Sequence, residues 1–437
     1  MAKAMPSTPR VATVAASVGR DSLRPAQLAW LAAAVLVVSA GYGALLPLFP
    51  AWLVQMIPGA SQAGIARHVG FLSGVYTAGV LVGAPLWGAV ADRVGLSRIL
   101  IVGLVGYVAS LLLVLVPGFD GLWAIYALRA MTGFFVAAVI PVVSAFVAQH
   151  TPEGKRARRF AWLGAMSLLG FLLGPGLNAI AGWAGSWVAG GAAVSAALSV
   201  RIVIVLSALL GAVMMLGLAR TLPSSRASVP GKQDVPALAT EARLAALCWL
   251  SGIVTFVLAG FELGIVLQGQ EHAGVSSRQV AIMFAECSLV MLGVNAMLFF
   301  TGLLEKVAAR LLMAVGLIVA TAGLAALAGH RSETWMYLGI SLTSAGTGLV
   351  LPVIAYLAAS ASSRRLGTTM GGLAAAAALG QTLGSAFGGW LFGAAAEGAF
   401  GWLILPLVVV LLLVLVRNVE APPAATTSMR RSSSGAA

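Results

Sequence analysis

Long stretches of this chain carry no Asp, Glu, Lys or Arg: 25–66, 68–91, 99–119, 130–152, 160–200, 202–219, 287–304, 311–330, 335–363, 366–396 and 398–416. A helix that crosses a bilayer needs roughly 20 mostly apolar residues, and most of these stretches are that long. Only 9% of the 437 residues are charged, against about 25% in soluble globular proteins. A water-soluble fold of this composition would expose large apolar patches and aggregate. Lipid is therefore the expected solvent. In lipid every backbone polar group must be satisfied internally, which favours helices. The 52 glycines fit such helices, because small residues let membrane helices approach closely.

The net charge of +13 could by itself indicate a nucleic-acid partner. The distribution of the basic residues points elsewhere, and no nucleic-acid partner is expected. They gather at alternate connections: Lys3, Arg10, Arg20 and Arg24; Arg93 and Arg98; Lys155, Arg156, Arg158 and Arg159; Arg220, Arg226, Lys232 and Arg243; Lys306 and Arg310; Arg364 and Arg365; Arg417, Arg430 and Arg431. The intervening connections hold only Arg67, Arg201, Arg278 and Arg331. This is the positive-inside asymmetry. It predicts a multi-pass protein of the inner (plasma) membrane with both termini cytoplasmic and an even number of spans. VATVAASV near the start is too short for a signal sequence and is followed by Arg20, Asp21 and Arg24, so residues 1–25 read as a cytoplasmic tail.

Twelve spans are expected, at 27–52, 70–91, 99–117, 122–147, 160–184, 200–219, 244–268, 279–302, 311–329, 335–359, 367–392 and 398–417. A polar segment rich in Pro and Ser divides them, so 26–219 and 244–417 read as two bundles, 220–243 as a cytoplasmic linker and 418–437 as a cytoplasmic tail. The halves echo each other. VIPVVSAFVA (139–148) parallels VLPVIAYLAA (350–359), LGFLLG (169–174) parallels LGQTLG (379–384), and ADRVGLSRILIVGL (91–104) more weakly parallels LEKVAARLLMAVGL (304–317). Three echoes in one order predict a tandem repeat. The expected fold is an all-α membrane protein of twelve transmembrane helices in two pseudo-symmetric six-helix bundles.

WGAVADRVGLSR (87–98) places Gly88, Asp92, Arg93, Gly95 and Arg98 at the end of span two. The stretch resembles the signature that follows span two in the major facilitator superfamily, departing from it at Leu96 and Ser97, where basic residues are common. Gly88 would allow close helix contact and Gly95 a tight turn. Asp92 would face the positive N-terminal end of span eleven. The resemblance implies a conformational latch, formed only while the cytoplasmic side is closed. LRAMTGFFVAA (128–138) resembles the span-four motif with a buried arginine, here Arg129, found in many proton-coupled members. GFLLGPGLNA (170–179) resembles the span-five motif of exporters that exchange substrate for protons, through Gly170, Gly174 and Pro175. Asn178 and Ala179 stand where that motif has a glycine pair, and Gly176 is extra.

Proton coupling needs a carboxyl group whose affinity for protons rises on desolvation and falls beside a positive charge. The first half has no acid within its spans. The second has Glu262 and Glu286, with Glu286 deeper by residue count. Ionisable residues inside a membrane are functional by default, so Arg129, Glu262 and Glu286 are the candidates for proton coupling or the substrate cavity. Tyr42, Trp87, Asn178, Asn295 and Gln381 are candidate cavity contacts.

The resemblance implies a proton-coupled exporter working by alternating access, surrounded by lipid and monomeric by family default. Its substrate would be a small lipophilic or amphipathic molecule, in keeping with a cavity short of charge and rich in Met and Phe. Proton-coupled uptake of a small organic metabolite and a transport-inactive receptor of the same fold are the rival readings. An enzyme is not expected. His68, His150, His272 and His330 lie in or beside connections without metal-ligand spacing. Cys248 and Cys287 read as small buried hydrophobes, and no phosphate-binding loop is present. No catalytic residue, metal or cofactor is called.

Overall fold

The computed structural model describes residues 23–119, 121–151, 153–190, 194–222, 238–271, 275–329, 332–361 and 366–416. The N-terminal tail up to residue 22, most of the linker, His272, His330 and the tail from residue 417 lie outside the described residues. Among those described, every regular element is a helix. The first half holds α1 (Pro25–Leu45), α2 (Phe49–Met56), α3 (Gln62–Val94), α4 (Leu96–Leu113), α5 (Leu122–Val136), α6 (Ile140–Gln149), α7 (Glu153–Val188) and α8 (Ala196–Thr221). The second holds α9 (Leu238–Glu271), α10 (Ser277–Thr301), the short α11 (Leu303–Lys306), α12 (Ala309–Ala328), α13 (Glu333–Ala361), α14 (Leu366–Ala395) and α15 (Gly398–Val416).

Eleven spans are long and apolar enough to cross a membrane. In α14, 30 residues without a charged side chain extend about 45 Å and complete the expected twelve. Two spans are interrupted at proline. A tighter turn at Leu46–Leu48 joins α1 to α2 around Pro47 and Pro50, and the chain breaks between α5 and α6 just before Pro141. Proline has no N–H to donate to the preceding turn. Pro352, its counterpart in the sequence echo, lies inside an unbroken α13.

The main departures from the expected boundaries are at helix starts. α3 begins at Gln62 rather than near residue 70, capped by Ser61, whose hydroxyl accepts from the Gly64 N–H at 3.1 Å. α7 begins at Glu153, before the expected start at 160. Charge ends a hydropathy stretch without ending a helix, because Arg and Lys are good helix formers.

The helices pack twice in the same pattern. α1 packs on α7 and α8, α3 on α5, and α4 on α5 and α8. In the second half α9 packs on α14 and α15, α10 on α13, and α12 on α13 and α15. Across the halves, α3 meets α14 and α10 meets α7. The echoed glycines take equivalent places. A Cβ on Gly170 or Gly174 would strike α1 at Leu36, Ser39 and Gly43, and one on Gly380 or Gly384 would strike α9 at Gly252 and Phe256. Backbone cannot yield as a flexible side chain does, and overpacking a tight core costs typically about 1–3 kcal/mol. Gly384→Leu should therefore lower the melting temperature and the yield of monodisperse protein, whereas Gly176→Leu, with nothing within 4 Å of its Cβ, should leave both near wild type.

Trp123, Trp183, Trp187, Trp335 and Trp402 are exposed, and all lie near the ends of spans on the side away from Pro25 and Val416. Amphipathic aromatic rings favour the membrane–water boundary, so these residues mark the far face of the bundle.

Contact between the halves is asymmetric. Toward the far end, α3 and α14 pack backbone on backbone. A Cβ on Gly70 would lie 2.6 Å from the Ser385 carbonyl and 2.8 Å from the Gly389 Cα, and one on Gly393 would lie 2.9 Å from the Ala63 carbonyl. The Thr382 hydroxyl donates to that of Thr77 at 3.0 Å. Gly88 follows Gly70 by eighteen residues and Gly371 precedes Gly389 by the same interval, about five full turns, so each pair shares a helix face. Yet Gly88 and Gly371 have nothing within 4 Å of a Cβ among the described residues. The two helices are sealed at the far end and apart at the end that holds Pro25 and Val416.

Candidate functional site

Arg129 lies in α5, one turn before Gly133. A Cβ on Gly133 would collide with the Tyr76 carbonyl, so the glycine of this motif is what lets α5 settle onto α3. That approach sets Arg129 among aromatic rings. Its guanidinium carbon lies 4.6 Å from the ring centre of Tyr76, 5.1 Å from that of Phe49 and 5.7 Å from that of Tyr42. The residue is 5% exposed, so the side chain does not reach out to the surface. Its Nε and Nη2 are buried and make no hydrogen bond. A cation over an aromatic face gains about 0.5–2 kcal/mol, and three rings partly offset the cost of removing the charge from water.

Tyr42 stacks on Tyr76 with ring centres 4.7 Å apart and meets Phe171 of α7 edge-on at 5.5 Å. Its position depends on Gly43, where a Cβ would lie 3.2 Å from the Phe171 carbonyl. Glu262, on α9 in the other half, is within electrostatic range of Tyr42. α9 also touches α2 and α3 across the boundary between the halves. The structure therefore sets Tyr42 against Arg129 of its own half and within electrostatic range of Glu262 of the second.

Glu286 is placed differently. The Ser341 hydroxyl of α13 donates to its Oε1 at 2.6 Å, and its Oε2 is buried without a partner. It belongs to a polar seam inside the second half. Buried Cys287 lies within electrostatic range of both glutamates. Glu286 counts as deeper along its helix, but Glu262 faces the other half.

The remaining candidates scatter. The Trp87 indole donates to the Phe134 carbonyl at 2.8 Å and packs on Phe134 and Phe135, wedging α3 against α5. The Asn295 amide donates to the Met291 carbonyl of its own helix at 2.8 Å. Both polar ends of Asn178 are buried and unpartnered. Gln381 is half-buried on α14, next to Thr382. Gly170, Gly174 and Pro175 lie within α7, and the two glycines are packed against α1. The close packing expected of that motif is thus a contact inside the first half.

The opening signature lies at the other end of α3. Tyr76 and Asp92 are sixteen residues apart, about 24 Å along the helix. Gly95 takes φ +103° and turns the chain from α3 into α4, a conformation that strains any residue with a Cβ. Arg93 and Arg98 are exposed, and the side chain of Asp92 lies outside what is described. The close contact expected at Gly88 is not made in this structure, because α3 and α14 diverge before they reach it. The weak echo at 304–317 also proves unequal in geometry. Ala308, in the place of Gly95, has φ −55°, and Gly302 is the left-handed residue there.

Phe49, Tyr76, Phe171 and Ser341 were not apparent from the sequence. A tyrosine in mid-span is a weak signal by itself. Its role depends on which helix lies opposite, and that is set by glycine contacts distant in sequence.

A model of the Major Facilitator Superfamily matches residues 31–298. The class B tetracycline resistance protein of Escherichia coli is 32% identical over 142 residues, covering 32% of this chain and 34% of that protein. The quinolone resistance protein NorA of Staphylococcus aureus (strain Mu50 / ATCC 700699) is 24% identical over 144 residues, covering 33% of this chain and 35% of that protein. The chain thus matches about a third of the length of these relatives. Among solved structures, the human organic anion transporter MFSD10 (TETRAN) superposes with a TM-score of 0.70 over 90% of this chain and all of that one, at 18% identity. That likeness is one of fold.

Proposed function

This chain belongs to the Major Facilitator Superfamily, and on that premise we propose that it exports a small amphipathic molecule in exchange for protons. The observation that carries this reading is the pairing of a one-ended seal with a buried cation whose neighbour Tyr42 lies within range of an acid in the other half. α3 and α14 are closed from Ala63 to Thr77 and open at Gly88 and Gly371. Just inside the closed end, Tyr42 packs against Arg129 and lies within electrostatic range of Glu262. With the termini cytoplasmic, the closed end faces outward and the structure is in its cytoplasm-open state.

In this scheme the two halves rock about the central site. The closed contact between α3 and α14 gives way as the signature at Gly88, Asp92 and Gly95 closes the other end. Glu262 carries the proton. The carboxyl takes up the proton while the site opens outward and gives it up while the site opens to the cytoplasm, as the movement of the halves changes its distance from the Arg129 guanidinium. Glu286, hydrogen-bonded to Ser341 within one half, is a second acid that shapes the cavity. The relatives named for tetracycline and quinolone resistance support export as the direction.

The test is proton release from acid-loaded everted vesicles, followed with a quenched pH-gradient dye while lipophilic cations, neutral drugs and organic acids are added in turn. One class should dequench the dye in wild type and fail to do so in Glu262→Gln. Silence across the panel, with the protein confirmed in the membrane, would sink the exporter reading.

A further inference from the structure

Arg129 Nε and Nη2 are both buried and unbonded in a residue that is 5% exposed. These two nitrogens are not an arbitrary pair. They form the edge of the guanidinium plane that presents two parallel N–H groups, the arrangement that grips the two oxygens of a carboxylate. The rings of Tyr42, Phe49 and Tyr76 surround the cation and offer it no carboxylate, and only Tyr42 and Tyr76 carry an oxygen at all. From this buried, unpaired edge we infer that the transported molecule carries a carboxylate, which docks side-on at Arg129 while its apolar body lies among the surrounding aromatic rings.

The chemistry favours this assignment over a neutral or cationic ligand. An uncompensated charge in an apolar site is costly, and a partner that supplies both oxygens and the opposite charge relieves that cost at once. A cationic ligand would add a like charge a few ångströms away. A neutral ester could offer only carbonyl acceptors and no opposite charge, so the buried cation would stay uncompensated. Among the described residues, Glu262 also offers a carboxylate within electrostatic range of Tyr42 in this cluster, so the test must separate the two. The inference rests on the transporter reading but not on export or on proton exchange.

The experiment uses the purified full-length protein and a graded series of arylalkyl carboxylates, each with its methyl ester and its matched trimethylammonium analogue. Binding is read as ligand-induced thermal stabilisation, which grows with ligand concentration over its dissociation constant. At least one carboxylate should act at a concentration about tenfold or more below that of its ester, the ratio expected for a bidentate charged pair. Arg129→Lys keeps the charge and removes the two-pronged edge, so it should erase that preference in protein that remains monodisperse.

Equal action of acid and ester, preference for the ammonium analogue, no binding by any member, or a preference that survives Arg129→Lys would each overturn the inference, and the first three need no variant. A carboxylate preference that first appears in Glu262→Gln would show that Glu262 holds the edge in wild type, and would also overturn it. The same compounds in the vesicle assay keep the two readings apart. Esters or cations that dissipate the pH gradient while carboxylates are inert leave the exporter standing without this substrate class. Carboxylates that bind through Arg129 without moving protons do the reverse.

Discussion

Replacing Gly389 by leucine should leave the protein folded in the membrane and nearly stop its turnover. A Cβ on Gly389 would lie 2.7 Å from the Ala66 carbonyl, 2.7 Å from the Gly70 Cα and 3.1 Å from the Gly70 nitrogen. All three atoms are backbone of α3, in the other half, so relief can come only from moving the halves apart at that end. Overpacking of this kind costs about 1–3 kcal/mol, or roughly 5- to 150-fold in the population of the sealed state. Leucine reaches well beyond a Cβ, so the upper part of that range is expected, with transport falling in proportion. Gly384, five residues earlier, faces α9 of its own half, and its replacement should damage folding instead. Two measurements separate the cases: thermal melting of the purified variants, and labelling of a cysteine introduced at the far end of the cavity. Gly389→Leu should melt like wild type and label faster. Normal turnover in that variant would mean that the α3–α14 seal takes no part in the cycle.

Glu262→Gln should abolish proton-driven transport while the protein still binds ligand. Glutamine keeps the size and hydrogen-bonding reach of the side chain and cannot exchange a proton. Without that exchange the pH gradient no longer biases the two states, and a ligand that binds both equally shifts nothing. A loss of about 100-fold or more in pH-driven rate is expected, with counterflow of labelled against unlabelled substrate largely kept. Glu286→Gln should have the smaller effect on coupling, because Glu286 is held by Ser341 of its own half. If Glu286→Gln removed the response to pH and Glu262→Gln did not, the roles assigned to the two acids would be reversed. Measuring both variants at several external pH values decides between them. Wild type should speed up as the outer side is acidified, and Glu262→Gln should show no such slope.

The arrangement has a physical economy. Arg129 and Glu262 lie in different halves, so movement of the halves changes the distance between them. Asp92 and Arg93 lie about 24 Å along α3 from the Tyr76 level, and Arg98 lies beyond them at the start of α4. The motif that most clearly identified the chain is therefore remote from the chemistry of its central site. In the proposed cycle it acts at the end of the bundle where Gly88 and Gly371 stand apart.

Much of the fold was legible in the sequence because lipid imposes a simple rule. A span must be apolar and helical over its whole length, so stretches such as 202–219 and 398–416 announce themselves. The twofold repeat was legible because Gly170 and Gly174, with Gly380 and Gly384, serve the same backbone contacts in each half and so recur at the same spacing. Arg129 stood out because a charge in such a stretch is rare. What only the tertiary structure decided was which of these rare groups meet. Glu286 counts as deeper than Glu262, yet it turns toward its own half, because facing depends on helix rotation and not on depth. Tyr76 and Phe49 became the walls around Arg129 only because Gly133 lets α5 press against α3. The seal at Gly70 and Gly389, and the gap at Gly88 and Gly371, repeat the same residue type on the same helix faces. Their difference lies in the angle between two helices, a property of how the halves pack and not of either helix alone.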